Sequence, residues 1–499
     1  MKLVVRVEAS TQIGTGHVMR CLALAQAWQD AGGQPIFVMS TDAPPIRARL
    51  ESEGVEVINL SVQVGSAEDA KETATLAQHL GANWVVVDGY YFGAEYQRII
   101  KNSGLCLLFI DDYGHAQHYW ANIVLNQNID AHEGLYLNRS PDTKLLLGTR
   151  YALLRQEFRQ WQGWTRKISQ VAQKVLVTLG GSDPENVTLK VIRGLQRVDV
   201  QGLEAIVIVV VGGSNPHYEQ LQAAVKVSQF PISLERNVTN MPELMAWADV
   251  AISAGGSTTW ELAFMGLPSL VLILADNQRA IAETLGEMGV DVNLGWHEDV
   301  SVTDIAQAMK QLRVSSGIRS EMARHGLELI DGEGTARVLM HLQDQPLRLR
   351  PIHQEDCKLL WEWANDPEVR SASFSSDPIP WEQHLQWFAN KLHDSNCYIF
   401  MVFDYEDRAI GQVRFERQDG NEAEISISLD KGKRGSGYGS SFIDIAVEEL
   451  FRHTSISSVY ALIKPNNDTS IRAFEKAHFK KLGNKIVRGN VALHYVRFK

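Results

Sequence analysis

Short apolar runs alternate with segments of helical periodicity along the first 342 residues, and this alternation restricts the fold more than any other feature of the sequence. Strands that alternate with helices predict a parallel sheet covered by helices on both faces. The pattern starts at residue 3 and starts again at residue 174, so we predict two α/β domains, residues 1–168 and 169–342. The predicted strands are residues 3–7, 35–39, 84–88, 105–111 and 123–126 in the first domain, and 174–179, 205–211, 250–253 and 269–274 in the second.

The order of elements changes after residues 343–346, a short polar stretch with a proline that is typical of a linker. A predicted strand at residues 347–351 is followed by two helical segments and then by three antiparallel-looking strands. This mixed order differs from the repeated strand–helix units before it, and it predicts a third domain of α+β type over residues 347–499. The predicted helices are residues 355–365 and 381–394, and the three strands are residues 398–404, 409–418 and 422–429.

The net charge of −11 argues against a general nucleic-acid or anionic-membrane partner. There is no run of eighteen apolar residues, and the N-terminus lacks the pattern of a signal peptide. The four cysteines are widely scattered and show no paired metal-binding spacing, as is typical of reduced cytosolic thiols. We therefore expect a cytoplasmic protein with no membrane span and no nucleic-acid partner.

The first loop with chemical potential joins the strand at residues 3–7 to the helical segment at residues 18–27. Its Gly14 and Gly16 allow the backbone to pass close to a ligand, and the helix N-terminus offers free N–H groups to an anion. His17 stands at the carboxyl end of the strand, where open parallel sheets bind ligands, and can take a proton at neutral pH. On spacing alone, a purely structural turn is the more frequent outcome.

Two glycine-rich loops follow strands of the second domain. Gly180, Gly181 and Ser182 come directly after the strand at residues 174–179, where backbone N–H groups could approach a phosphate or a sugar. In the next loop the hydroxyls of Ser257 and Thr258 precede Glu261, one turn into a helix. The two oxygens of that carboxylate suit the two ribose hydroxyls. The alternative is that each loop is a tight turn and that Glu261 only favours the helix dipole.

The opening segment resembles the signature of the UDP-sugar hydrolases of the pseudaminic acid pathway, relatives of the MurG-type glycosyltransferases. The resemblance is carried by Arg6, Ser10, residues 12–14, Gly16-His17, Arg20 and Leu24-Ala25, and Glu8 stands where this family has aspartate. It covers about residues 1 to 340 and implies two Rossmann-like domains of glycosyltransferase-B type.

The resemblance implies hydrolysis of UDP-2,4-diacetamido-2,4,6-trideoxy-β-L-altropyranose at the anomeric carbon, with His17 deprotonating the water and with inversion. A glutamate that binds the ribose in the glycosyltransferase relatives matches Glu261. No Asp-x-Asp metal motif serves the nucleotide, so no metal is expected. The residues implied to bind UDP or the sugar are Gly14, Gly16, Arg20, Gly180, Gly181, Ser182, Ser257, Thr258, Glu261, Asn277 and Gln278.

In the third domain, Arg434-x-x-Gly437-x-Gly439 follows a strand, opens a helix and resembles the pyrophosphate loop of the GNAT superfamily of N-acetyltransferases. Consecutive backbone N–H groups and a helix N-terminus would then face the two phosphates of acetyl-CoA. The alternative is a glycine-rich turn that caps a helix. The implied cofactor-binding residues are Arg434, Gly435, Ser436, Gly437, Tyr438, Gly439, Ser440, Asn467 and Ser470.

Phe474 stands where this superfamily usually places a tyrosine that protonates the departing thiolate. Three alternatives follow: another acid or water serves, turnover is slow, or the domain only binds. Residues 361–370 and the aromatic positions 381–388 resemble the 4-amino-sugar acetyltransferases of the same pathway, although core packing also explains such aromatics. We therefore predict a bifunctional hydrolase and acetyltransferase. The alternative is a UDP-sugar glycosyltransferase with a non-catalytic CoA-binding sensor domain.

Overall fold

The computed structural model describes residues 1–8, 15–41, 43–198, 206–236, 238–344, 347–418, 420–435 and 438–499. The chain divides into two compact units, Met1–Leu339 and Met340–Lys499. In the described part of the chain, no helix has both the length and the apolar character needed to cross a bilayer.

The first sheet has seven parallel strands in the order β3-β2-β1-β4-β5-β6-β7. Its central strands are continuous apolar runs because both faces are covered by helices. The order reverses between β1 and β4, and ligands of open α/β sheets bind at such a point. The strands are β1 Lys2–Val7, β2 Gln34–Met39, β3 Glu56–Asn59, β4 Ala82–Asp88, β5 Cys106–Ile110, β6 Ile123–Asn126 and β7 Lys144–Leu147; the helices are α1 Gly16–Asp30, α2 Pro44–Ser52, α3 Ala67–Leu80 and α4 Ala94–Asn102.

The second sheet has six parallel strands in the order β10-β9-β8-β11-β12-β13, with its reversal between β8 and β11. The predicted doubly wound fold is thus confirmed for both halves of this unit. The strands are β8 Lys174–Thr178, β9 Ile206–Val211, β10 Ile232–Arg236, β11 Val250–Ala254, β12 Ser269–Ile273 and β13 Val292–Trp296. The helices that follow are α5 Val187–Leu195, α6 Tyr218–Lys226, α7 Met241–Trp247, α8 Thr258–Phe264, α9 Arg279–Glu287, α10 Val302–Val314, α11 Ser316–Leu329 and α12 Gly334–Leu342.

The third sheet has seven strands in the order β14-β15-β16-β17-β18-β20-β19 and is antiparallel except between β17 and β18. These two parallel strands pair over three residues only and then part. The predicted α+β class is confirmed. The strands are β14 Leu347–Pro351, β15 Cys397–Asp404, β16 Ala409–Arg417, β17 Glu422–Leu429, β18 Ser458–Ile463, β19 Lys480–Val487 and β20 Asn490–Phe498; the helices are α13 Cys357–Ala364, α14 Pro367–Ala372, α15 Trp381–Leu392, α16 Tyr438–His453 and α17 Asp468–Lys476.

Candidate active sites

A cleft of about 850 Å³ in the unit Met1–Leu339 is lined by loops that follow strands of both parallel sheets. It brings together nearly all the residues that the sequence predicts for the hydrolase site. Gly14 lies outside the described residues. The predicted residues that line the cleft are Gly16, His17, Arg20, Gly180, Gly181, Ser182, Ser257, Thr258, Glu261, Asn277 and Gln278.

His17 lies in the first turn of α1, and Asp88 ends the neighbouring strand β4. The two side chains meet because β1 and β4 are adjacent at the reversal of the sheet. His17 Nδ1 lies 2.6 Å from Asp88 Oδ1, and Asp88 is fully buried. An ionised carboxylate can only accept, so Nδ1 carries the proton, and in the neutral imidazole the lone pair is then on Nε2. The arrangement orients His17 as a proton acceptor at the cleft.

Arg20 lies one turn further along α1 and contacts two buried carboxylates. It donates to both oxygens of Asp88 at 2.7 Å and to Asp112 Oδ1 at 2.6 Å. Burial alone would raise the pKa of each carboxyl, but Arg20 holds the pKa of both below its usual range. The guanidinium therefore keeps the partner of His17 ionised. We accordingly propose that Arg20 positions Asp88; its predicted contact with UDP or the sugar stays a prediction, and Arg20 lines the cleft.

Tyr90 is a cleft residue that sequence reasoning missed. Its hydroxyl donates to Asp112 Oδ2 at 2.7 Å and accepts from Asn277 Nδ2 at 2.8 Å. Its ring meets the His17 ring edge-on, with centroids 4.9 Å apart. Burial and the nearby Asp112 raise the pKa of Tyr90 far above its usual range, so the hydroxyl keeps its proton. Tyr90 comes two residues after the predicted strand at residues 84–88, and this position could have indicated a residue at the ligand-binding edge of the sheet.

The loop after β8 approaches the cleft through its backbone. Gly180 has φ +89°, which a side chain would strain. A Cβ on Gly181 would lie 2.5 Å from Thr15 Oγ1, and a Cβ on Gly212 would lie 2.1 Å from the Gly181 carbonyl oxygen. Gly180 is therefore required by its positive φ, and Gly181 and Gly212 are required by the close approach of neighbouring atoms.

The loop before α8 also presents backbone to the cleft. The N–H groups of Gly256, Ser257 and Thr258 find no acceptor among the described residues. A Cβ on Gly16 would lie 3.4 Å from Ser257 Oγ, so this loop and the His17 loop face each other. The free N–H groups suit an anionic ligand.

Glu261, in α8, is paired with Arg155 from the segment after β7. Arg155 donates to Glu261 Oε1 through Nε at 3.1 Å and Nη2 at 2.8 Å. Burial raises the pKa of Glu261, and Arg155 offsets part of that rise. Within the described residues Oε2 has no donor, so one carboxylate oxygen is available to a ligand in the cleft.

We expect Glu261→Ala to weaken UDP binding by about 1.5–3 kcal/mol, the range for hydrogen bonds to a charged group. Calorimetric titration of each variant with UDP measures this. Glu157→Ala is the matched control, because Glu157 contacts Arg155 at 2.8 Å but does not line the cleft. An affinity equal to that of the parent would leave Glu261 with a role in the helix alone.

The second candidate site lies in the unit Met340–Lys499, where β17 and β18 part beyond the Glu424–Tyr460 pair. The predicted pyrophosphate loop connects β17 to α16, with Gly435 at φ +75°. Ser436 and Gly437 lie outside the described residues. Tyr438, Gly439 and Ser440 form the first turn of α16, and a Cβ on Gly439 would lie 3.4 Å from the Ala473 side chain.

Arg434 is bound to carboxylates of its own unit. Its Nη1 lies 2.9 Å from Asp366 Oδ1 and 2.9 Å from Glu368 Oε2. Nε and Nη2 donate to the carbonyl of Leu429, at 3.2 and 3.0 Å. Nη1 is therefore occupied by two carboxylates, and among the described residues one N–H of Nη2 remains available for the predicted contact with coenzyme A.

Asn467 and Ser470 lie at the start of α17. Asn467 Oδ1 accepts the Ser470 N–H at 3.1 Å, which caps the helix. Phe474 lies further along α17, 3% exposed, with its ring edge-on to Phe479. The Phe474 side chain is part of the apolar core of this unit.

No group of three His, Cys, Asp or Glu side chains in the described ranges is arranged to hold a metal ion.

Two family models match the chain: the "Glycosyltransferase family 28 C-terminal domain" over residues 175–327, and the "Acetyltransferase (GNAT) domain" over residues 346–480. The first range covers most of the second parallel sheet, and the second covers the third sheet as far as the start of β19.

Three curated proteins are similar to parts of the chain. The spore coat polysaccharide biosynthesis protein SpsG of Bacillus subtilis is 30% identical over 240 residues, covering 48% of this chain and 69% of SpsG. The UDP-2,4-diacetamido-2,4,6-trideoxy-β-L-altropyranose hydrolase of Campylobacter jejuni is 26% identical over 294 residues, covering 58% of this chain and 98% of that protein. Acetyltransferase PseH of Campylobacter jejuni is 22% identical over 132 residues, covering 26% of this chain and 79% of PseH.

Proposed function

We propose a bifunctional enzyme, on the premise that the chain belongs to the family of the spore coat polysaccharide biosynthesis protein SpsG and carries a GNAT domain behind that part. Residues 1–168 and 169–342, as two Rossmann-like domains, hydrolyse UDP-2,4-diacetamido-2,4,6-trideoxy-β-L-altropyranose to UDP and the free sugar. Residues 347–499 transfer an acetyl group from acetyl-CoA to the 4-amino group of the UDP-amino-sugar precursor. The similarity to the Campylobacter hydrolase supports this substrate.

The pairing of His17 with Asp88 at the cleft carries the hydrolase proposal. Asp88 accepts the Nδ1 proton of His17, with Nδ1 and Oδ1 2.6 Å apart. Nε2 therefore takes a proton from water as that water attacks the anomeric carbon. The new bond joins the water oxygen to the anomeric carbon. The bond from that carbon to the phosphate oxygen breaks, and UDP leaves with the electron pair. One attack from the face opposite the leaving group inverts the configuration.

The nucleotide side of the cleft supports UDP as the leaving group. Backbone N–H groups at residues 256–258 offer hydrogen bonds to the diphosphate, whose negative charge grows as the bond breaks. Glu261 Oε2 accepts from the ribose. Asn277, which donates to the Tyr90 hydroxyl, faces the sugar next to His17, the general base.

In the acetyltransferase, the gap between β17 and β18 receives the thioester arm, and the loop before α16 holds the pyrophosphate. The amine attacks the thioester carbonyl carbon, and the thiolate of coenzyme A leaves. Well-oriented reactants can lower such a barrier by about 7–11 kcal/mol. Because the pKa of a thiol is about 8.5, the thiolate of coenzyme A is a tolerable leaving group even though Phe474 has no proton to donate.

The test incubates the full chain with the UDP-diacetamido sugar and with its UDP-4-amino precursor, each with and without acetyl-CoA, followed by mass spectrometry. We expect UDP and free sugar from the diacetamido compound in water alone, and a gain of one acetyl group on the precursor only with acetyl-CoA. Release of UDP only after an acceptor sugar is added would favour a glycosyltransferase. Coenzyme A binding without acetylated product would favour a sensor domain.

We expect the acetyltransferase to function as a separate fragment, Met340–Lys499. This unit is compact and has its own apolar core between the third sheet and α16. The purified fragment should bind acetyl-CoA and acetylate the UDP-4-amino sugar at a rate within a few-fold of the full chain. The complementary fragment Met1–Leu339 is the negative control for acetyl transfer. A folded rear fragment that binds coenzyme A but yields no acetylated sugar would contradict the proposed activity.

A further inference from the structure

Two neighbouring amide side chains line the cleft at the carboxyl end of β6. Gln127 and Asn128 are 1% and 4% exposed, yet both contribute to the cleft wall. They stand on the same sheet edge as His17, which follows β1. Strands β4 and β5 lie between β1 and β6, and at about 4.8 Å per strand this places the end of β6 about 14 Å along the rim from the end of β1.

In each of these amides one polar atom is hydrogen-bonded within the protein and the other is available to a ligand. Gln127 Oε1 accepts the Leu153 N–H at 2.9 Å, whereas Nε2 has no acceptor among the described residues. Asn128 Nδ2 donates to Asp112 Oδ1 at 3.1 Å, whereas Oδ1 has no donor in the same described ranges. Neither atom is sealed in the protein interior, so each reaches the cleft. The pair therefore presents one donor and one acceptor from a rigid, buried setting.

The carboxylates that line the cleft already have donors within the protein. Among the described lining residues, the carboxylates are Asp112, Asp183 and Glu261. Asp112 is paired with Arg20, and Glu261 with Arg155. Asp183 accepts the N–H groups of the first turn of α5 at 2.8 and 2.9 Å. Glu261 follows a strand of the second sheet, so Asp112, already bound by Arg20, Tyr90 and Asn128, is the one described carboxylate that the first sheet adds to the cleft beside the pair.

We propose that Gln127 and Asn128 determine sugar specificity by binding the 4-acetamido group of the substrate. Gln127 Nε2 donates to the acetamido carbonyl oxygen, and Asn128 Oδ1 accepts the acetamido N–H. The 4-substituent lies across the ring from the anomeric carbon, which agrees with a pair that follows β6 while His17 follows β1. The hydrolase thus rejects the protonated 4-amino sugar, and an N-acylation must supply its substrate. This inference deepens the proposed function and rests on it.

The decisive variant is Gln127→Glu in the full-length protein. Glutamate keeps an acceptor for the Leu153 N–H and replaces only the donor that faces the cleft. We expect kcat/KM for the UDP-diacetamido sugar to fall by about 10–100-fold, in line with loss of a buried hydrogen bond. We expect kcat/KM for the UDP-4-amino sugar to rise, because a carboxylate now faces its ammonium group. UDP release is measured without acetyl-CoA, so that the amino sugar stays unmodified.

Gln127→Met is the second variant, because it removes the donor without burying a charge. It should lose activity on the diacetamido sugar by a similar factor and gain none on the amino sugar. UDP affinity measured by titration should match that of the parent in both variants. An unchanged ratio of the two kcat/KM values in the variants, with an active parent, would overturn the inference alone. Failure of the parent enzyme to hydrolyse the diacetamido sugar would instead overturn the proposed function.

Discussion

Replacing His17 with alanine should lower the rate of UDP release from the diacetamido sugar by roughly 10²–10⁴-fold, the usual contribution of a general base. UDP binding should stay nearly intact, because His17 contacts Asp88 and Tyr90 and not the loops assigned to the nucleotide. The measurement pairs a coupled assay of UDP release with calorimetric titration of UDP.

His118→Ala is the control for this experiment. His118 lies in the same half of the unit and is bonded to Asn138, and it does not line the cleft. Its loss should leave UDP release at the parent rate. Hydrolysis by His17→Ala at the parent rate would show that another group removes the proton from water.

Asp88→Asn should lower the rate of UDP release about as much as the loss of His17 does. Asp88 is a positioning residue and does not line the cleft. The asparagine NH₂ can donate to His17 Nδ1, which moves the imidazole proton to Nε2 and removes the lone pair that accepts from water. We expect kcat to fall roughly 10²–10⁴-fold while KM changes little. Because the pKa of Asp88 lies below its usual range, the parent keeps this carboxylate ionised throughout the neutral range.

A second buried carboxylate provides the matched comparison. Asp69 is also fully buried and bonded to an arginine, Arg6 at 2.8–2.9 Å, but it does not touch His17. Asp69→Asn should lower the free energy of unfolding without a comparable loss of kcat. Equal effects of the two substitutions on kcat would mean that Asp88 only stabilises the fold.

The interior strands of both parallel sheets could be predicted from the sequence, and the edge strands could not. β1, β4 and β11 are rich in buried apolar residues because each has a neighbour on both sides and helices on both faces. β3 and β10, at sheet edges, are short and carry exposed polar residues, so they lack that pattern. β7 and β13, the other edge strands of these sheets, were also missed, as were β19 and β20 of the third sheet.

The loops of the candidate site were predictable, but their partners were not. Glycines and His17 after a strand are a local pattern, whereas the contact of His17 with Asp88 spans 71 residues and that of Tyr90 with Asn277 spans 187. Strand order decides those contacts, and no local spacing encodes strand order. The same limit applies to the carboxylate partners of Arg20, which come from β4 and from the turn after β5.

The close packing of Gly181 against Thr15 and of Gly212 against Gly181 has an evolutionary consequence. In the proposed function, the main chain provides much of the recognition on this side of the cleft, and a side chain at Gly181 or Gly212 would clash with neighbouring atoms. On the opposite wall, Tyr90, Gln127 and Asn128 act through their side chains, and single codon changes can alter them. Gene duplicates of such a protein should therefore diverge readily in the sugar they accept while they keep the same carrier nucleotide.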